Sequence, residues 1–146
     1  MHDLSIRQPD DDAALQDWQF VHNATIPDHP LSLEDVRERA RRHRLEVAYR
    51  SDILIGSSTV RPPTDDTAAA TVIARVLPAH RRQGLGEELY ERGLEAARAL
   101  GASVIETVVF STNVDGLRFA LRHGFVETER YVLPGESLPW VELRLS

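Results

Sequence analysis

The sequence predicts a single α/β domain over residues 1–146, with seven strands and four helices around one core. Three observations carry that reading. β-branched, apolar runs of strand length recur along the chain, and stretches with helical spacing of apolar residues stand between them. The 146 residues, 42% of them hydrophobic, suffice for one compact core and leave no room for a second domain.

Each element has its own signal. Asp3-Leu4-Ser5-Ile6-Arg7 alternates as a first strand, closed by Pro9. Asp10, Asp11 and Asp12 offer caps to a helix whose Leu15, Trp18, Phe20 and Val21 fall mostly on one face. Residues 23–30 read as a loop, because Pro27 and Pro30 each push the preceding residue out of the helical region. Ser32 with Asp35 predicts a capped second helix running to about Arg44. Residues 45–50 and 53–60, joined at Ser51-Asp52, read as a hairpin. Residues 62–66 form a surface loop, and 68–76 a strand whose β-branched content marks it as central. Helical spacing of Leu89, Leu94, Ala97 and Leu100 places a helix over 87–100, with Gly101 at its C-terminal cap. A buried strand over 104–110, a helix over 113–123, and strands over 125–133 and 140–145 complete the order β-α-α-β-β-β-α-β-α-β-β. No internal repeat, linker or low-complexity segment interrupts it.

Composition narrows the function. The net charge of −6 argues against nonspecific nucleic-acid binding. The basic run from Arg37 to Arg44 reads as a solvated helix face paired with Glu34, Asp35 and Glu38, and it lacks aromatic residues for base stacking. No apolar run approaches the ~20 residues of a membrane span, and no apolar signal region opens the chain, so a soluble, cytoplasmic protein is expected. The absence of cysteine removes disulfides, thiolate metal sites and a Cys nucleophile together; no metal is assigned, and any acyl transfer is expected to be direct.

The most informative motif is Arg81-Arg82-Gln83-Gly84-Leu85-Gly86, between a strand ending in Val76-Leu77-Pro78 and a helix. Gly84 and Gly86 lack Cβ, so an anion can approach the backbone, and the N–H groups that open a helix have no helical partners. Two nucleotide motifs are excluded. The dinucleotide fingerprint needs a third glycine where Leu89 stands, and the triphosphate loop needs Gly-Lys-Ser/Thr in a chain without lysine.

What remains, Arg-x-x-Gly-x-Gly after Val-x-Pro, resembles the acetyl-CoA loop of the GNAT N-acetyltransferase superfamily. The segment from Asn113 to Phe125, opening on Asn and closing on Gly124-Phe125, is similar to that family's second cofactor segment. Together the two cover roughly the C-terminal half of the chain. The resemblance implies a mixed, largely antiparallel sheet flanked by helices, with strands that part near Val76 and Phe110 to admit the pantetheine arm. It assigns the arm to the backbone of Ala74-Arg75-Val76 and the diphosphate to Arg81, Arg82, Gln83, Gly84, Leu85, Gly86 and Glu87. Asn113, Phe119 and Arg122 are implied as further cofactor contacts, with a plain surface role as the other reading of Arg122.

The implied activity is transfer of the acetyl group of acetyl-CoA to the amine of a small molecule or peptide, in a ternary complex. Its partners would include no nucleic acid and no membrane, and a homodimer is left open. The resemblance gives Val76 N–H the task of polarising the thioester. The tyrosine that commonly protonates the departing thiolate falls at Ala120, so Tyr131 on the following strand stands as the replacement acid or as a packing residue. The same departure sustains an alternative, a CoA-binding regulatory protein with weak or lost catalysis. Glu106 is the candidate base, with a salt bridge to Arg75 as its other reading. Arg75 left free of that bridge could receive an acceptor carboxylate. His22 and His29 lie where the family gathers acceptor-binding residues, and a surface role is the competing reading of both.

Overall fold

A computed structural model describes residues 4–64 and 66–145. β1 (Leu4–Arg7) is followed by α1 (Asp12–Thr25) and α2 (Leu33–Arg42), then by β2 (Arg44–Arg50), β3 (Ile53–Arg61) and β4 (Ala69–Val76). After one 3-10 turn at Pro78–His80 come α3 (Leu85–Ala99), β5 (Val104–Phe110), α4 (Val114–Arg122), β6 (Phe125–Tyr131) and β7 (Trp140–Leu145). The expected element order holds, with the strands in one seven-stranded sheet ordered β1-β2-β3-β4-β5-β7-β6. Every neighbouring pair is antiparallel except β4 and β5, which gives the mixed sheet that the motifs imply. The first-strand residue Asp3 and the loop residue Asp65 lie outside the described residues.

Local chemistry sets the boundaries. Asp11 caps α1 by accepting the Ala14 N–H at 2.8 Å. Ser32 and Asp35 form a reciprocal capping box at the start of α2. Ser51 and Asp52 both take positive φ, 48° and 68°, the geometry of a two-residue hairpin turn matched to the strands' twist. Asn113 caps α4 through the Gly116 N–H at 3.0 Å.

Some expectations shift. α2 stops at Arg42 because Arg44 is already paired with Val60 as the first residue of β2. α3 begins at Leu85, where the apolar side chain seals the core. β6 ends at Tyr131, where its pairing with Trp140 ends. Phe20, grouped in sequence with the apolar face of α1, is 58% exposed, whereas Trp18 and Val21 of that helix are buried.

The helices cover opposite faces of the sheet. Trp18, Val36, Leu45 and Val47 pack α1 and α2 on one side, and the Trp18 indole N–H reaches the Ser58 carbonyl at 3.2 Å. Tyr90 and Ala97 of α3 pack on Val60, Val72, Val109 and Val141 on the other, together with Ala120 of α4. A Cβ at Gly56 would lie 2.5 Å from the Arg75 carbonyl oxygen, so glycine there allows β3 to hold the end of β4 closely. Among the described residues, no helix is long and apolar enough to cross a membrane.

Candidate active site

The parallel pair β4 and β5 is joined only at Ala69 with Val104, Ala70 with Ile105 and Thr71 with Glu106. Beyond these the strands diverge, and a cleft of about 620 Å³ opens between Val76 and Phe110. Leu77 N–H bonds to the Ile55 carbonyl at 2.8 Å, and Arg75 pairs with Ser57. Backbone directions alternate along an antiparallel strand, so the N–H and C=O groups of Ala74 and Val76 point away from β3, into the opening. The N–H and C=O of Ala74 and the N–H of Val76 form an open strand edge of the kind that an extended ligand can complete, while the Val76 C=O is taken by Arg81.

The cleft mouth is built by the glycine loop. Gly84 has φ +79°, a conformation that few side-chain-bearing residues tolerate, and it is the residue before α3. The first helical bond is Glu88 N–H to Gly84 C=O at 3.2 Å, so the N–H groups of Leu85, Gly86 and Glu87 precede the helical ladder. Arg82, Gly84, Gly86 and Glu87 line the cleft, as do Asn113, Phe119 and Arg122 across it. Arg122 stacks over the Phe119 ring at 6.0 Å.

Three residues of the predicted loop set have structural attachments. The Arg81 Nε donates to the Val76 carbonyl at 2.9 Å, and its Nη1 pairs with Asp115 at 3.1 Å, clamping β4 to the first turn of α4. Gln83 accepts from Arg50 at 2.9 Å, and the Leu85 side chain is buried with Leu89 and Ile55. An anion could therefore meet only the backbone of Leu85, whereas the Gln83 side-chain amide still carries its N–H donors.

Hydroxyl placement differs from the sequence expectation. Ala120 is 3% exposed and lines the cleft. Tyr131 does not line it; its ring belongs to the pocket on the other face of the sheet. Tyr90 does line it, with its ring 5.9 Å from Phe119 and 5.3 Å from His123. Burial raises its phenol pKa, so it carries its proton at neutral pH. Tyr90 is absent from the sequence-predicted set, although it stands one turn after Gly86, beside the buried Leu89.

A second cavity of about 300 Å³ lies on the α1 and α2 face. Ile73, Arg75 and Val108 line both, so the two meet where the strands part. Glu106 lies elsewhere: its carboxylate bonds to Arg144 of β7 at 2.9 Å, and it lines neither cavity. The expected Glu106–Arg75 bridge is not formed. Glu106 pairs in register with Thr71, and Arg75 is four positions further along, about 13 Å away after the strands have separated.

The surface reading of His22 also fails: it is 4% exposed and stacked on Trp18. Its Nε2–H donates to the His29 carbonyl at 2.9 Å, and its Nδ1 is buried with no partner among the described residues. Burial first, then Arg75, pushes its pKa from 6.5 to about 4, so it is neutral at physiological pH. His29 packs between Phe110 (4.8 Å) and Trp140 (5.0 Å), with its Nε2 3.2 Å from the Glu136 carboxylate.

Residues 11–125 match the acetyltransferase (GNAT) family. Among solved structures, the fold is similar to yncA from Salmonella typhimurium, solved with its cofactor acetyl-CoA, with 20% identity, TM-score 0.76, and coverage of 98% of this chain and 93% of that one. It is also similar to the ribosomal-protein-alanine N-acetyltransferase from Brucella melitensis (19% identity, TM-score 0.74, coverage 96% and 98%). Ard1 from Thermoplasma volcanium superimposes at TM-score 0.79 with 16% identity, covering 97% of this chain and 96% of its own. No match was found among curated proteins.

Proposed function

The chain belongs to the acetyltransferase (GNAT) family, and from that premise we propose that it acetylates the amine of a small molecule or peptide by direct attack in a ternary complex with acetyl-CoA. The observation that carries this reading is the divergence of β4 and β5, which leaves the backbone groups of Ala74 and the Val76 N–H open beside the unbonded N-terminus of α3. A pantetheine arm is an extended chain of amides that can complete such an edge. A diphosphate fits the free N–H groups of Leu85, Gly86 and Glu87, with Arg82 beside them.

When bound, acetyl-CoA supplies the activated acyl group. Val76 N–H, directed into the opening, stabilises negative charge on the acyl oxygen. With Glu106 held by Arg144, His29, whose Nε2 is engaged by Glu136, takes a proton from the acceptor ammonium at its Nδ1, and the neutral amine so formed attacks the acyl carbon. Tyr90 takes the place of the acid missing at Ala120: it gives its proton to the departing thiolate and is restored by the proton that the acylated nitrogen releases on becoming an amide.

A second reading, a CoA-binding regulatory protein with weak or lost catalysis, is favoured by Ala120 alone. Steady-state release of CoA with a panel of amines separates the two. Acceptor-dependent turnover is the expected result; tight CoA binding with no turnover for any amine would favour the regulatory protein, and absence of CoA binding would sink both.

A further inference from the structure

The smaller cavity collects three guanidinium groups from three elements: Arg39 of α2, Arg61 at the end of β3 and Arg75 of β4. No carboxylate lines it among the described residues, although the chain carries a net charge of −6. Arg37 and Arg42, on the same helix as Arg39, are both ion-paired, with Asp12 at 2.8 Å and Glu38 at 2.8 Å. Asp35 and Glu38 act on Arg39, and Glu142 with Tyr131 on Arg61, only through space. The Arg61 Nε is buried with no hydrogen-bond partner among the described residues. Burial lowers the pKa of all three, and that of Arg75 falls to about 10, with Arg61 and Arg39 as the next causes.

Like charges brought together away from water are costly unless a counter-charge completes them. Among the described residues no carboxylate lines the cavity or forms an ion pair with any of the three, so an anion from outside would supply the counter-charge. Guanidinium forks match planar or tetrahedral oxyanions by paired hydrogen bonds. Trp18, Leu31, Ile73 and Trp140 supply an apolar wall, and about 300 Å³ is at the small end of ligand sites. The cavity joins the cofactor cleft at Arg75, where an amine would reach the acyl carbon.

Resting on the acetyltransferase reading above, we infer that the acceptor is a small amine bearing one or two acidic oxygen groups, held by Arg39, Arg61 and Arg75. The same charges refuse polyamines and basic peptides.

The test measures kcat/KM for the common amino acids and 2-aminoethylphosphonate, for their decarboxylated or dephosphonylated amines, and for spermidine. Acidic acceptors should exceed their neutralised analogues, and Arg61→Gln and Arg75→Gln should each narrow that ratio by roughly 10- to 100-fold, mainly through KM, as loss of a charge-assisted hydrogen bond predicts. Arg61 lines the smaller cavity alone, so Arg61→Gln should keep CoA affinity in calorimetry, and both variants should melt no lower than wild type, because each removes an uncompensated charge. A best acceptor without an acidic group, no turnover of any acidic acceptor, or equal discrimination in wild type and variants would overturn the inference. Loss of melting temperature with unchanged discrimination would do the same, marking the arginines as structural. Failure of the wild type to bind CoA would instead count against the acetyltransferase reading.

Discussion

Tyr90 and Ala120 both line the cleft, a hydroxyl carried by α3 and a methyl group by α4 within one apolar cluster. If Tyr90 protonates the departing thiolate, Tyr90→Phe should lower kcat by about 10²-fold, at the low end for an acid-base group because a thiolate is a good leaving group. The KM for acetyl-CoA should stay constant. The exchange Tyr90→Ala with Ala120→Tyr moves the ring to the opposite helix at similar volume and should recover part of the rate. An unchanged kcat for Tyr90→Phe would remove this residue from the chemistry. Tyr131→Phe, in the smaller cavity that we infer to hold the acceptor, should act on acceptor KM instead.

His22 gives a stability prediction at the same scale. Its folded pKa of about 4 lies below the unfolded 6.5, so between those values the unfolded chain binds more protons. Stability therefore rises with pH across that window and is lost as pH falls from 6.5 toward 4. The contribution reaches on the order of 3 kcal/mol at full effect, because each tenfold difference in proton affinity between the folded and unfolded chain is worth about 1.36 kcal/mol. His22→Gln keeps a donor for the His29 carbonyl without the titration, so its denaturation midpoint should vary less between pH 6.5 and 4. Parallel slopes for the two proteins would refute the assignment.

At the scale of elements, the start of α3 is where we propose that the cofactor diphosphate sits. Gly84→Glu forces a side chain into a left-handed conformation, φ +79°, and adds negative charge beside the N–H groups that a diphosphate needs. CoA affinity should fall at least about tenfold, the equivalent of 1.4 kcal/mol, which calorimetry would read directly. Undiminished affinity would mean that the diphosphate lies elsewhere. This element was legible because its signal is local: glycines, arginines and a helix start are adjacent in sequence. The caps at Asp11, Ser32 and Asn113 were legible for the same reason. The smaller cavity was not, because its residues come from seven separate elements and two connecting loops. Arg39 looked like one more charge in a solvated run, and only the packing of α2 on the sheet turns it inward while Arg37 and Arg42 stay paired outside. Glu106 was placed on the correct face of β5 but beside the wrong partner. Strand register fixes its distance from Arg75, and alternation alone carries no register.

For the whole molecule, the cleft divides the sheet. β1 to β4 and β5 to β7 are joined through three register pairs, from Ala69 with Val104 to Thr71 with Glu106, and through the core that α3 covers. A ligand that completes the edge of β4, sits on α3 and touches α4 would bind both halves and tie them together. Because such a ligand binds only the folded chain, CoA at 100 times its Kd should stabilise the protein by about 2.7 kcal/mol. For a domain of this size that corresponds to a rise in melting temperature of roughly 5–10 °C. Protection should not be uniform. Amide hydrogen exchange should slow most in residues 72–76 of β4, at the start of α3 and in α4, and least in the distant hairpin of β2 and β3, since local opening of the divided edge is what the ligand suppresses. In Gly84→Glu both effects should shrink together at equal CoA concentration. A thermal shift that survives in that variant, or protection spread evenly over the sheet, would show that CoA stabilises the fold without bridging the two halves.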